Sequence, residues 1–384
     1  MTDELDKSLL RMARVGIEAR EKITQNTDSA TILPHNLSSK RPEENILSID
    51  RAGSDGTPPV AFSRITLEEI DKNLFLGRKE YLWKPQGRSI VFGGQVVGQS
   101  LAAAIRTVTP EKHLHSMHCY FLAGGRNDVN IVHTVLPIRE GKSFATRMVM
   151  AQQQGRTIYV MICSFQRLEI TSLNHQSTMP LVPSPEFICP AEEFFLNLKN
   201  DPRCPKEWVK PLELRAKRER ENPIETRFVL VHDFFSNLGE RDPTFRQPDY
   251  PKYTNESKQI LWIKTRHRLP DDDQNIHRSV LAYASDMFLL STAVGAEFNI
   301  PEIAMMASRD HSMWFHSDFR MDEWMLYELE SPRAGGARGL SLGKIYRRDG
   351  TLAVTCSQEG VIRLRKDMEA KTKSGPATSK QSNL

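Results

Sequence analysis

The run Gly339-Leu340-Ser341-Leu342-Gly343 has the G-x-S-x-G form of a serine nucleophile elbow, a strained strand-to-helix turn that would make Ser341 an acyl-accepting hydroxyl. An elbow also needs a histidine later in the chain. Here the run continues as Lys344-Ile345-Tyr346-Arg347-Arg348-Asp349-Gly350, a strand pattern ending in an Asp-Gly turn, and no histidine follows His316. Covalent chemistry at Ser341 is therefore disfavoured. Phe92-Gly93-Gly94-Gln95-Val96-Val97-Gly98-Gln99 is glycine-rich and enters a helix pattern, but it lacks the spacing of a nucleotide phosphate loop. It does offer a helix N-terminus with small residues, where unpaired backbone N–H groups and the positive end of the dipole can face an oxyanion. Close packing of helix and sheet is an equally good reading of those glycines, and both can hold.

Asp286, in Tyr283-Ala284-Ser285-Asp286-Met287-Phe288, is the oddity of the sequence. A carboxylate within an apolar helix pattern belongs on a solvated face unless its burial is compensated, because an unpaired buried charge is costly or neutralises. On its neighbours alone the solvated face is the commoner case. Ser308, before Arg309-Asp310-His311, and Gln358, in Cys356-Ser357-Gln358-Glu359-Gly360, lie at strand-like edges and singly read as surface or turn residues. His311 and His316 have no carboxylate or cysteine partners in a ligand-like pattern, so no metal is expected and structural roles suit them better. Trp83, Phe92, Phe121, Trp262, Met313, Trp314 and Phe315 have the bulk for an acyl pocket, and equally for plain core.

Two apolar-patterned regions must position these groups: an N-terminal one over 64–170 and a C-terminal one over 224–366. A Pro- and charge-rich connector, 171–223, separates them and reads as too polar for a core of its own. A polar extension (1–63) and a Lys-, Ser- and Thr-rich tail (367–384) flank them. The two regions read as copies. Each has an apolar helix pattern, Val96 to Val108 and Val280 to Thr292, then a His-Ser-Met word at 115–117 and 311–313, then alternating strand patterns. His115 to Gly155 spans 40 residues and His311 to Gly350 spans 39, each glycine beginning a tight turn before a strand. A duplicated unit of one long helix and an antiparallel sheet curved around it accounts for the order.

Composition bounds the rest. With 39% hydrophobic and 26% charged residues the 384-residue chain can bury a full core. A formal charge of +4 is too mild to argue for nucleic acid. No run of 18 apolar residues exists, so membrane insertion is not expected, and the first twenty residues lack a signal-peptide pattern. Five cysteines without C-x-x-C spacing suit a reducing compartment, with Cys119, Cys163 and Cys356 in packing positions.

Taken together, several words resemble the acyl-CoA thioesterase II family, which includes bacterial thioesterase II and peroxisomal acyl-CoA thioesterases. They are Phe92-Gly93-Gly94-Gln95-Val96-Val97-Gly98-Gln99, His115-Ser116-Met117-His118-Cys119-Tyr120-Phe121, Ala284-Ser285-Asp286, Asp310-His311-Ser312-Met313-Trp314-Phe315-His316, Trp324-Met325-Leu326-Tyr327 and Gln358-Glu359-Gly360-Val361-Ile362-Arg363. The resemblance implies an α+β double hotdog, two repeats each with a long helix wrapped by an antiparallel sheet. It also implies a site between the halves in which Asp286, Ser308 and Gln358 bind and orient a hydrolytic water; Ser308 stands where the bacterial relatives have threonine. N–H groups at Gly93 and Gly94 would receive the oxyanion.

The activity implied by this resemblance is hydrolysis of fatty acyl-CoA to free acid and CoA, with acyl-CoA as the substrate and no cofactor or metal. The alternatives are a hotdog hydratase or acyl transfer enzyme on CoA esters, or a non-catalytic acyl-CoA-binding module. A homo-oligomer is expected. The final Ser382-Asn383-Leu384 is similar to the Ser-Lys-Leu peroxisomal address with asparagine at the basic position, so a peroxisomal location read by an import receptor is expected ahead of a cytoplasmic one.

Overall fold

Alternating burial along the strands and nearly all-round burial of two helices build the main layered core. The computed structural model describes residues 60–84, 90–230, 257–270, 273–294 and 303–365, all within one unit that begins at Ser48. The segment 231–256, almost all of the polar extension and the C-terminal tail lie outside the described residues. In the first half, α1 (Val60–Ile65) precedes β1 (Glu68–Asp71), β2 (Leu74–Gly77), α2 (Gly93–Ile105), β3 (Lys112–Phe121), β4 (Ile131–Glu140), β5 (Phe144–Gln153) and β6 (Arg156–Arg167). Then come α3 (Ala191–Asn200) and α4 (Lys206–Glu221). The second half is β7 (Ile224–Leu230), β8 (Ser257–Thr265), α5 (Gln274–Ser285), the one-turn α6 (Leu289–Thr292), β9 (Ile303–Ser308), β10 (Asp310–Phe315), β11 (Met325–Gly335), β12 (Arg338–Arg347) and β13 (Leu352–Leu364).

All these strands form one 13-stranded sheet in the order β1-β2-β4-β5-β6-β3-β10-β13-β12-β11-β8-β7, with β9 paired to β13. Outward from the centre of the sheet the order is the same in both directions, which is the duplication expressed as topology. At that centre β3 and β10 pair antiparallel with Met117 opposite Met313. These methionines hold the same place in the repeated His-Ser-Met word, so an internal two-fold relation passes between them. The expected double hotdog is the observed fold. The tight turns are also where the glycines placed them: Gln154 and Gly155 have φ of 49° and 76°, the primed-turn conformation that matches strand twist, and Gly350 has φ 89°.

The two long helices lie against each other on the inner face of the sheet. A methyl at Gly94 would stand 2.3 Å from the Tyr283 carbonyl oxygen, and one at Gly98 would stand 2.9 Å from that of Ser279, so only glycine lets α2 and α5 approach this closely. Val97, Leu101, Met117, Leu281, Met313 and Cys356 belong to one continuous hydrophobic core that draws on both halves.

Three expectations need correction. The second helix, expected to run through Thr292, stops at Ser285, and Asp286 is its C-cap; Leu289–Thr292 is a separate turn. Packed structure begins before residue 64, because Ala61, Phe62 and Ile65 of α1 are buried. The connector is not too polar for a core: Ala191, Phe195, Leu212 and Ala216 form a small one between α3 and α4. Its apolar residues recur at helical spacing within a charged composition, and only the paired helices bring them together.

Candidate active site

Ending α5 at Ser285 turns the next side chain out of the helix and toward the first turn of α2. Asp286 therefore faces Gly93, whose added methyl would sit 2.9 Å from Oδ2. Gln358 and Ser308 reach the same carboxylate from the sheet. Along β13, residues 354–357 pair with β10, whereas Gly360 onward pairs with β9, beginning at Ser308. Gln358 lies at this change of partner, where the chain kinks through Arg309, whose N–H donates to Glu359 O and whose O accepts from the Phe121 N–H. The kink sets Ser308, His311 and Gln358 around one spot.

Gln358 Nε2 donates to Asp286 Oδ1 at 2.5 Å, and Ser308 Oγ donates to the same oxygen at 3.4 Å. The other Nε2 hydrogen of Gln358 points at His311 Nδ1, 3.3 Å away. That direction makes Nδ1 the acceptor, so His311 carries its proton on Nε2 and donates to Ser285 Oγ at 3.1 Å, which in turn donates to Ala282 O at 3.0 Å. Donation thus runs from the amide through His311 and Ser285 to the helix backbone, and it fixes which end of Gln358 meets the carboxylate. Burial lowers the His311 pKa to about 3, consistent with a neutral acceptor.

Asp286 keeps part of its surface open, as a reacting base must, yet the atoms packed around its carboxyl displace water and raise its pKa from 3.8 to about 6. Donation from Gln358, the Gly94 N–H and Ser308 opposes the rise without cancelling it. The N-cap of α2 is Phe92, which offers no side-chain cap, so the N–H groups that open the helix are left for this site. A solvated helix face for Asp286 is thereby overturned: the carboxylate is held between a helix N-terminus and two side-chain donors. The Gly94 N–H is turned to the Asp286 carboxylate, leaving Gly93 as the less committed N–H.

The duplicated His-Ser-Met word does not give two equivalent sites. The β3 register shifts between Leu114 and Ser116, and this bulge turns His115 away from the helices, where its Nε2 pairs with Ser164 Oγ at 2.9 Å. The β10 register has no shift, and His311 is fully buried. Met117 pairs with Cys163 and Met313 with Cys356, so two residues further along Phe165 occupies the place of Gln358. The first half therefore has a phenyl ring where the second has the amide.

His311 is the site residue that reading the sequence did not place in the network; its signals were the repeated word and the run from Asp310 to His316. Gly339–Gly343 lies inside β12 and pairs on both sides, so no elbow exists there. His316 bonds Thr355 Oγ1 at 2.9 Å. Among the described residues no cluster of histidine, cysteine and carboxylates could hold a metal, and no helix is long and apolar enough to cross a membrane.

Comparison with known proteins gives independent findings. Residues 236–361 match the acyl-CoA thioesterase family, and residues 81–166 match the acyl-CoA thioesterase N-terminal domain. The chain is 41% identical over 303 residues to acyl-coenzyme A thioesterase 8 of Mus musculus, covering 79% of this chain and 88% of the relative. It is 25% identical over 308 residues to peroxisomal acyl-coenzyme A thioester hydrolase 1 of Saccharomyces cerevisiae, covering 72% and 87%. The crystal structure of acyl-CoA thioesterase II TesB2 from Mycobacterium marinum superposes with a TM-score of 0.59 at 32% identity, over 79% of this chain and 97% of that one.

Proposed function

The chain belongs to the acyl-CoA thioesterase family, and on that premise we propose that it hydrolyses acyl-CoA through a water held by Asp286, Ser308 and Gln358. The observation that carries the reading is a carboxylate with a pKa near neutrality, fixed by Gln358 and facing the uncapped start of α2. A general base is most effective when its pKa lies near the working pH.

The chemistry closes on these residues. Asp286 removes a proton from the water as its oxygen attacks the thioester carbonyl, while Ser308 orients that water and Gln358 does so through the Asp286 carboxylate that it holds. Negative charge collects on the carbonyl oxygen of the tetrahedral intermediate, where the Gly93 and Gly94 N–H groups and the positive end of the α2 dipole stabilise it. The intermediate collapses with cleavage of the C–S bond, and the proton on Asp286 passes to the departing CoA sulfur. Free acid and CoA are the products.

A thiol-reactive dye assay on a panel of acyl-CoA chain lengths tests the reading. Saturated substrates should release CoA with water as the sole acceptor, and Asp286→Asn should lower kcat by roughly 10²–10⁴. No CoA release across the panel, or full activity in the variant, would refute it.

Location and assembly extend the proposal. The terminal Ser382-Asn383-Leu384 and the likeness to a yeast protein named as peroxisomal support a peroxisomal address read by an import receptor. A homo-oligomer is supported by the outer face of the sheet, where Tyr120, Ile138 and Ile162 are each at least half exposed. The edge strand β1 is short and carries Glu68, Glu69 and Asp71, all exposed, which discourages pairing edge to edge. Light scattering should give a mass above one chain, and Ile162→Lys should lower it; a monomeric wild type would exclude the contact.

A further inference from the structure

Two fully buried polar side chains beside the reacting centre each leave an atom unsatisfied: Gln358 Oε1 and Ser341 Oγ. They are neighbours. Ser341 of β12 and Gln358 of β13 are direct cross-strand partners, an arrangement that holds side chains on one face with Cβ atoms about 4.5–5.5 Å apart. The face is the inner one: Gly339 and Gly343, two residues either side of Ser341, lie against Ala293 and Tyr327 of the core. Buried hydroxyl and amide groups in folded proteins almost always find a partner, and an ordered water supplies it where protein atoms do not. A single water between the two strands would satisfy both atoms, accepting from Ser341 Oγ–H and donating to Gln358 Oε1.

We propose that Ser341 is a positioning residue for hydrolysis: a single buried water bridges its hydroxyl to Gln358 Oε1 and locks the amide with Nε2 toward Asp286. The inference rests on the proposed roles of Asp286 and Gln358. The bridge has two effects. It anchors the carbonyl end of the amide, so the amide cannot turn its oxygen toward the carboxylate, and it polarises the amide so that Nε2–H is a stronger donor to Asp286 Oδ1. The serine of the misleading G-x-S-x-G word thus acts on the reacting water only through the bridging water, Gln358 and Asp286, and forms no bond to the substrate.

The test is steady-state kinetics across pH on wild type, Ser341→Ala, Ser341→Thr and Asp286→Asn, with a crystal structure of the wild type. Ser341→Ala should lower kcat about three- to tenfold with KM within about twofold, the scale of one lost neutral hydrogen bond. Its acidic limb in kcat should move to higher pH, since the carboxylate loses donor strength, and Ser341→Thr should restore both. A folded Ser341→Ala enzyme with wild-type kcat and an unmoved limb overturns the proposal. So does a folded but inactive one, which would make Ser341 a reacting group. Should Ser341→Ala not fold, the crystal structure decides: an ordered water within hydrogen-bond reach of both atoms supports the bridge, and direct contact or a dry gap excludes it. If Asp286→Asn is fully active, the site assignment itself has failed; if only Asp286→Asn is impaired, the role of Ser341 alone is refused.

Discussion

Replacing Asp286 by asparagine should make folding stability less sensitive to pH while removing most activity. The carboxyl rises from 3.8 in the unfolded chain to about 6 in the folded one, chiefly by desolvation. As pH climbs, the unfolded chain loses this proton first, which favours unfolding until the folded carboxyl also ionises. Stability from this group is therefore fully present below its unfolded pKa, falls between about pH 4 and pH 6, and is flat above. The full shift corresponds to about 3 kcal/mol. Sampling only from about pH 4.5 to about pH 7.5, and discounting for the part of Asp286 that water still reaches, leaves about 1–2 kcal/mol. Asparagine cannot titrate, so the stability difference, variant minus wild type, should rise by that amount across the range. Any pH-independent cost of the exchange cancels in this comparison. Urea unfolding at fixed protein concentration, followed by circular dichroism at each pH, measures it. A difference that is flat, or that moves in favour of the wild type as pH rises, would show that the carboxylate is not desolvated and would remove the basis for a near-neutral base.

Gly94→Ala should destabilise the fold by at least about 2 kcal/mol in thermal or urea unfolding, because its methyl meets the Tyr283 carbonyl at 2.3 Å and backbone cannot step aside. An unchanged melting temperature would mean the helices are not so closely apposed. His311→Leu removes the acceptor for one Gln358 hydrogen and should reduce kcat up to about tenfold, the upper end for one lost neutral hydrogen bond. Its acidic limb should remain that of a carboxylate, since His311, held near 3 by burial, does not titrate in the working range; disappearance of the limb would assign it to the histidine. A fluorescent fusion with a free C-terminus should form puncta that disperse on deletion of Leu384, and diffuse signal from the intact fusion would favour the cytosol.

The repeated helix-then-strands order and the turns at Gly155 and Gly350 were legible because periodicity and turn chemistry are local: they depend on residues a few positions apart. The double hotdog and the trio of Asp286, Ser308 and Gln358 came from the resemblance of several words together; singly, each of the three residues reads as surface. Local pattern also misplaced two things. It carried the second helix past Asp286, since Met287 to Thr292 continues the apolar pattern, and it denied the connector a core, since composition does not record which faces of α3 and α4 meet. The site itself is a matter of register. Asp286 and Gln358 are 72 positions apart in sequence and touch only because β13 exchanges β10 for β9 beside the amide. The same word turns His311 inward and His115 outward because one bulge shifts the alternation of β3 by a residue, and side chains of a strand alternate faces with a period of two. A sequence lists which groups are available; pairing register and the close approach of two helices, both set by contacts across the whole sheet, decided which of them meet.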